Sequence, residues 1–443
     1  MQRKLRVGVT AAALTLGMAL AGCSSGATTG GGGAAEACAP SEGKVDLTFT
    51  TWVPGMDKVV ELWNAKNPDI QVKVQSGPNG NSGTYQNFFN QVKAGNAPDL
   101  GQIEYDALPN FRVQDAVENI AACKNILDAK GDFVDWTWNQ VTFGEEEAVY
   151  AVPQDSGPVA MYYRKDLFEA AGIPVPTTWD EYAAAAATIK EQGSFITNFP
   201  KTDVNWFAGM VWQNGGQWFA NDGENWSVEL TSDKSTEVAD YWQKLIDNGE
   251  VSELASFSDE WNNSFNTGAQ WTWISAVWGA STLRDGAPDT AGKWAVAPMP
   301  QWKAGDNAAG NWGGSSTAVL KGSKHPYEAA QFALWLNTDP EALALANELG
   351  GLYPATTAGG DLEAFSGGSD FYGGQKIYDV FADASAAVNP DFTWGPTMTQ
   401  TYTDVSDGFG SALGGSGTLA DALATGQEKT IAALEAQSIP VKK

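Results

Sequence analysis

From Val45 the chain alternates apolar and polar residues, with Val45, Leu47 and Phe49 on one side of an extended segment that runs to Val53. Met56, Val59, Val60 and Trp63 then recur at helical spacing, and Pro68 closes that helix. Ile70, Val72 and Val74 alternate again. Strand, helix and strand in this order open an α/β unit with a mostly parallel sheet. Phe88, Phe89 and Val92 predict a helix ending at Gly95. Val149, Ala151 and Val152 predict a strand that Pro153 stops. A polar interval holding Asp155 and Gly157 follows, and a second apolar run covers 159–163. A short helix from Asp166 stops at Gly172, and Thr178 and Glu181 stand at capping-box spacing before another. Val238, Tyr241, Trp242, Leu245 and Ile246 form a helical core stripe. Ala329, Phe332, Ala333 and Leu336 do the same behind Pro326, and Leu419, Leu423, Ile431 and Leu434 predict a terminal helix or pair. A strand interrupted by a polar elbow, resuming in a new unit, reads as a crossing between two lobes with Asp155 inside it.

The run YAVPQDSGPVAMYYRKDLFEAAGIPVPTTWDE, Tyr150 to Glu181, resembles the extracellular solute-binding proteins of bacterial ABC importers, in their sugar-binding, maltose-binding-protein-like group. Arg164 stands where Asn is usual. Residues 97–103 begin Ala-Pro-Asp like that family's third strand. Phe265, Gly268 and Trp278 match a second landmark, in which Ala269-Gln270-Trp271-Thr272 replaces the usual Lys-Ala-Ala-Met and Ala276 the closing Gly. Residues 296–300 with 311–315, and 350–354, resemble the second and third crossings. The resemblance implies an α/β, two-lobed periplasmic-binding-protein type II fold with three interlobe crossings. It divides the chain into one lobe of 41–154 with 314–355 and another of 155–313 with 356–443.

Ligands of such sheets bind at the carboxyl ends of strands. Trp52 stands at one such end, and Glu104, Tyr105 and Asp106 lie just past another. A carboxylate accepts hydrogen bonds from neighbouring sugar hydroxyls, so Glu104, Asp106 and Asp155 are candidate ligand contacts. Trp212 is a further candidate. The resemblance adds Trp278 as a stacking face, Trp312 and Gly313 in the second crossing, and Trp394 near the carboxyl end. The competing readings are core packing for Trp52 and Trp212, helix capping for Asp106, and hinge packing for Trp312. The altered landmark leaves the strand register, and the roles of Trp271 and Trp273, open.

Composition narrows the partners. Among 443 residues, 53 acidic side chains against 26 basic ones give a net charge of −27, which repels nucleic acid. The 19 tryptophans supply flat faces suited to sugar rings. Arg3, Lys4 and Arg6 precede an apolar stretch from Val7 to Ala21, the form of a signal peptide over 1–22. Leu20-Ala21-Gly22-Cys23 resembles a bacterial lipobox, which implies lipid on Cys23, a tether over 23–40 and attachment to the outer face of the cell membrane. An ordinary signal peptide is the alternative. With Cys23 set aside, Cys38 and Cys123 are expected to pair in an oxidising exterior; two buried thiols are the alternative. No Cys/His cluster points to a metal, and no cofactor is expected. The expected function is a monomeric, non-enzymatic binding lipoprotein that delivers a carbohydrate, an oligosaccharide by its tryptophans, to ABC permease transmembrane subunits. The rivals are the same fold with a non-sugar solute, and a secreted glycoside hydrolase using paired carboxylates.

Overall fold

The computed structural model describes residues 38–442, and the leader, Cys23 and most of the expected tether lie outside them. The apolar alternation at 45–51 and 70–76 becomes β1 (Val45–Thr51) and β2 (Ile70–Ser76), joined by α1 (Met56–Lys66). After α2 (Thr84–Ala94) comes β3 (Leu100–Glu104), and β1 runs parallel to both β2 and β3. Gly95 ends α2 in the left-handed conformation that costs glycine least. Two further helices, α3 (Leu108–Val113) and α4 (Asp135–Thr142), lead to a two-residue strand, β4 (Val152–Pro153).

Pro153 does not end regular structure as its type suggests: it pairs with Ser316. It is tolerated because β4 is the edge of the first sheet, where a missing N–H breaks no inner ladder. The chain then enters a second sheet as β5 (Val159–Arg164). It continues through α5 (Lys165–Ala171), α6 (Trp179–Glu191), β6 (Thr197–Asn198), α7 (Val204–Gln213), β7 (Phe219–Asn221), β8 (Trp226–Val228), α8 (Asp233–Asp247), β9 (Val251–Ser252) and α9 (Asp259–Thr267). The capping box that starts α6 is formed, with the Glu181 amide donating to Thr178 Oγ1 at 3.2 Å. After β10 (Thr272–Ala276), α10 (Gly279–Gly286) and β11 (Trp294–Pro298), the chain returns to the first sheet as β12 (Ser315–Val319). There α11 (Pro326–Leu336) packs on β12, and α12 (Pro340–Gly350) packs on α1. The chain leaves again for α13 (Glu363–Ser366), α14 (Ile377–Ala386), α15 (Met398–Leu413) and α16 (Leu419–Ala436), so the terminal apolar pattern is a pair of helices.

The molecule has two lobes. One is built on the sheet β2-β1-β3-β12-β4, with β12 antiparallel to β3 and β4. The other is built on β10-β5-β11, all antiparallel, with α14 packed on it. β1, β3 and β5 bury continuous apolar faces, among them Phe49, Leu100, Ile103, Val159 and Met161. A disulfide joins Cys38 to Cys123. Beside it the Ser41 amide donates to Glu328 Oε1 at 2.6 Å, and Ser41 Oγ lies 2.8 Å from His325 Nδ1. These contacts fasten the start of the described chain to α11. His325, whose place beside a helix start suggests the surface, is partly buried by them.

Candidate functional site

Three segments pass between the sheets, and the first touches both of the others. The Trp312 amide donates to the Gly157 carbonyl at 2.8 Å, and the Gly157 amide donates to Asn311 Oδ1 at 3.0 Å. The Ser156 amide donates to the Tyr353 carbonyl at 2.9 Å. A Cβ on Gly157 would stand 2.1 Å from the Trp312 carbonyl oxygen, so only glycine lets the first two crossings lie this close.

Asp155 ties the crossings to the first sheet. Its Oδ1 accepts from the Ser315 amide at 2.8 Å and from Ser315 Oγ at 2.6 Å. Ser315 Oγ also accepts from Gln102 Nε2 at 3.0 Å, and Gln102 Oε1 accepts from Thr51 Oγ1 at 2.7 Å. A buried chain of hydrogen bonds thus runs from β1 through β3 and β12 into the first crossing. Burial pushes the Asp155 carboxyl up to about 6, against the two Ser315 bonds that favour its charged form.

Glu104 and Asp106 stand at the open end of β3. Tyr85 Oη donates to Glu104 Oε2 at 2.9 Å and accepts from the Glu104 amide at 2.9 Å. Tyr402, on α15 of the other lobe, donates its Oη to Asp106 Oδ2 at 2.9 Å, while Asp106 Oδ1 has no protein partner. Burial raises both carboxyls, and the neighbouring acid adds to the rise at Glu104. Among the described residues no ion pair includes Glu104, Asp106 or Asp155. Asp106 caps no helix, since α3 begins after Ala107 with no side-chain cap. Tyr105 is buried, its hydroxyl donating to the Asp155 carbonyl at 2.9 Å.

The aromatic candidates fall into separate groups. Trp52 is partly exposed, edge-on to Tyr85 at 5.9 Å, on the acidic side of the cleft. Trp278 and Trp312 pack at 4.6 Å, and Trp278 Nε1 donates to the Trp312 carbonyl at 3.1 Å. Trp273, on β10, joins them at 5.9 Å from Trp278, whereas Trp271 is buried with its Nε1 on the Gly268 carbonyl. Gly313 and Gly314, both at φ +87°, carry the backbone from this group toward Tyr105, and a Cβ on Gly314 would stand 2.7 Å from that ring. Trp212 and Trp394 lie elsewhere, with Phe392. Trp212 is 1% exposed, stacked on Phe392 at 4.4 Å with its Nε1 on the Asn389 carbonyl.

A cleft of about 490 Å³ lies between the lobes, lined by Pro54, Asn347 and Gly351 on one side and Trp278, Ser281 and Tyr378 on the other. A hollow of about 150 Å³ between Gln140 and Trp394 marks another edge of the seam. A larger one, about 650 Å³, lies in the second lobe around Phe195, Glu253 and Gln270. Sequence reasoning misses Tyr85, Tyr402, Gln102 and Ser315. The hydroxyl pair at 315–316 beyond the double glycine is the one local signal that marks any of them.

The chain matches the family described as bacterial extracellular solute-binding protein over residues 49–343. A lactose-binding protein of Rhizobium radiobacter is 28% identical, over 86% of this chain and 92% of the relative. An arabinooligosaccharide-binding protein of Halalkalibacterium halodurans is 26% identical, over 79% of this chain and 80% of the relative. The galacto-N-biose/lacto-N-biose I-binding protein of a Bifidobacterium longum ABC transporter, solved with lacto-N-biose, superposes with a TM-score of 0.81 at 29% identity, covering 91% of this chain and 100% of that one. Lobes, crossings and family match agree, and this chain is a member of the bacterial extracellular solute-binding proteins.

Proposed function

We propose that this protein captures a neutral carbohydrate, an oligosaccharide, between its two lobes and hands it to the transmembrane subunits of an ABC importer. The observation that carries this reading is an acidic strip without a cation. Glu104 and Asp106 accept from the hydroxyls of Tyr85 and Tyr402, Asp155 accepts from the amide and hydroxyl of Ser315, and Trp52 packs on Tyr85 beside them. Carboxylates unpaired with Lys or Arg suit hydroxyl donors and disfavour anionic solutes. Aromatic faces suit the apolar sides of sugar rings. The relatives' lactose, arabinooligosaccharide and lacto-N-biose ligands support the same class.

In this reading Trp52, Glu104, Tyr105, Asp106, Asp155, Trp278, Trp312, Gly313 and Trp394 face or frame the ligand, and Trp212 backs Trp394 from within the second lobe. The lobes are 41–154 with 314–355, and 155–313 with 356–443. Lipid on Cys23 would hold a monomer at the outer face of the cell membrane. The protein acts by closure rather than catalysis: ligand contacts made by both lobes favour the shut form. Each of the three carboxylates is already engaged by a protein donor, which suits a binder better than a hydrolase.

A thermal-shift screen with lactose, lacto-N-biose, galacto-N-biose and arabinooligosaccharides, beside polyols, peptides and sugar phosphates, tests the reading. A ligand that binds only the folded protein raises the melting temperature by mass action. A rise with one glycan class is expected. A rise confined to the other solutes would overturn the carbohydrate assignment, and release of product from any glycan would overturn the assignment as a binder.

A further inference from the structure

Six side chains close a ring across the seam. Tyr105 meets Trp136 of α4 edge-on at 5.8 Å, and Trp136 meets Trp212 at 5.7 Å. Trp212 meets Trp394 at 6.0 Å, and Trp394 meets Tyr402 at 6.4 Å. Tyr402 returns to Asp106 through its hydroxyl, 2.9 Å from Oδ2. Tyr105, Asp106 and Trp136 belong to the first lobe, and the other three belong to the second. Two polar atoms in this ring have no partner: the Trp136 indole N–H and Asp106 Oδ1. Trp136 is 1% exposed, so its donor is cut off from water. A buried donor and a buried acceptor left unmade at one seam are both costly. The indoles of Trp242 and Trp302 are also unpartnered, but they sit together around Trp179 and Tyr241 inside the second lobe, where closure cannot bring them a ligand.

We propose that Trp136 is a ligand-binding residue: with Asp106 it holds one sugar ring at this seam, apart from the Trp278 group, so that the ligand is a neutral glycan of at least two rings. This rests on the carbohydrate reading above. A sugar hydroxyl is donor and acceptor at once. One hydroxyl donates to Asp106 Oδ1, another accepts from the Trp136 N–H, and the aromatic walls cover the ring's C–H faces. Gly314 lies against Tyr105, and Gly313 lies 3.4 Å, measured from its would-be Cβ, from Trp278 Nε1. The double glycine therefore links the two aromatic groups along the backbone. Among the described residues no cation pairs with Glu104, Asp106 or Asp155.

The test uses Trp136→Phe, which keeps an aromatic ring and removes the N–H. Intact wild type and variant are titrated calorimetrically with lactose and the other screened glycans, with the constituent monosaccharides, and with singly deoxygenated analogues of the best binder. The variant is expected to bind the best disaccharide about tenfold more weakly, as for one lost buried hydrogen bond. One deoxy analogue should bind wild type and variant equally, because the hydroxyl that meets the indole is gone from it. Monosaccharides should bind the wild type much more weakly than disaccharides. If the variant merely packs less well, its loss will be the same for every analogue, and that result overturns the proposal even where the melting temperature also falls. Wild-type disaccharide binding that Trp136→Phe leaves unchanged sinks this inference alone. A wild type that binds none of the glycans removes the carbohydrate reading and this inference with it.

Discussion

Asp155 shows what single residues do in this molecule. Its carboxylate holds both the amide and the hydroxyl of Ser315, and its carbonyl takes the Tyr105 hydroxyl. Asp155→Ala leaves the buried Ser315 amide without its acceptor, which costs about 1–3 kcal/mol for an unmade buried hydrogen bond. Chemical denaturation should show that loss, and it should exceed the loss for Asp155→Asn, which keeps an acceptor. Gly314→Ala is expected to be worse than an ordinary surface change. It forces a left-handed alanine, costing about 1–2 kcal/mol, and also sets a methyl against the Tyr105 ring. Unchanged denaturation midpoints for both variants would show that the crossings are not fixed by these contacts. Asp155 is legible in the sequence because a proline and a polar interval break an otherwise apolar run. Tyr402 is not legible, since it reaches Asp106 across 296 residues and no local pattern reports a contact of that range.

At the scale of elements, α15 adds a contact between the lobes beyond the three crossings. Tyr402 bonds Asp106, and one turn earlier Thr399 Oγ1 donates to Asn81 Oδ1 at 2.9 Å. Glu104, Asp106 and Asp155 face this contact, and the other titratable groups around them are the hydroxyls of Tyr85, Tyr105 and Tyr402. Burial raises all three carboxyls, and at Asp106 one of the groups packed on it, Tyr402, comes from the other lobe. A raised carboxyl favours the shut form below the ordinary carboxylate range, near pH 4, and that preference is lost as pH rises through the raised value, about 6 for Asp155. The ligand-free protein should therefore expand in small-angle scattering between about pH 4 and 8, the upper end set by Glu104, raised to about 8, with the thermal midpoint of each lobe little changed. Tyr402→Phe should shift this opening to lower pH by removing the latch. A radius independent of pH would contradict the coupling. The first β-α-β unit, the capped helix α6 and the helix behind Pro326 are legible as elements because their burial is periodic. The extent of β4 is not, because edge position rather than residue type lets Pro153 pair.

For the whole molecule, the disulfide and the cleft make separate contributions. The bond between Cys38 and Cys123 closes a loop of 85 residues, and its loss through Cys38→Ser with Cys123→Ser should cost about 2–4 kcal/mol of stability. Both cysteines lie in the first-sheet lobe, so equilibrium affinity for a glycan should hardly move; a large loss of affinity would mean that the bond shapes the cleft. The two-lobed plan is legible from the crossing and its resemblance, whereas the partition of tryptophans is not. Spacing alone does not separate Trp278, in the cleft, from Trp212, sealed against Phe392, because both stand in apolar runs. The central claim is that a sugar draws the lobes together. The most direct measurement is small-angle scattering of the protein at pH 7 titrated with lactose and lacto-N-biose, alongside calorimetry. A radius of gyration that falls in step with saturable binding is the expected result. Saturable binding with no change in radius would place the ligand outside the seam, and no binding of any glycan would remove the carbohydrate function.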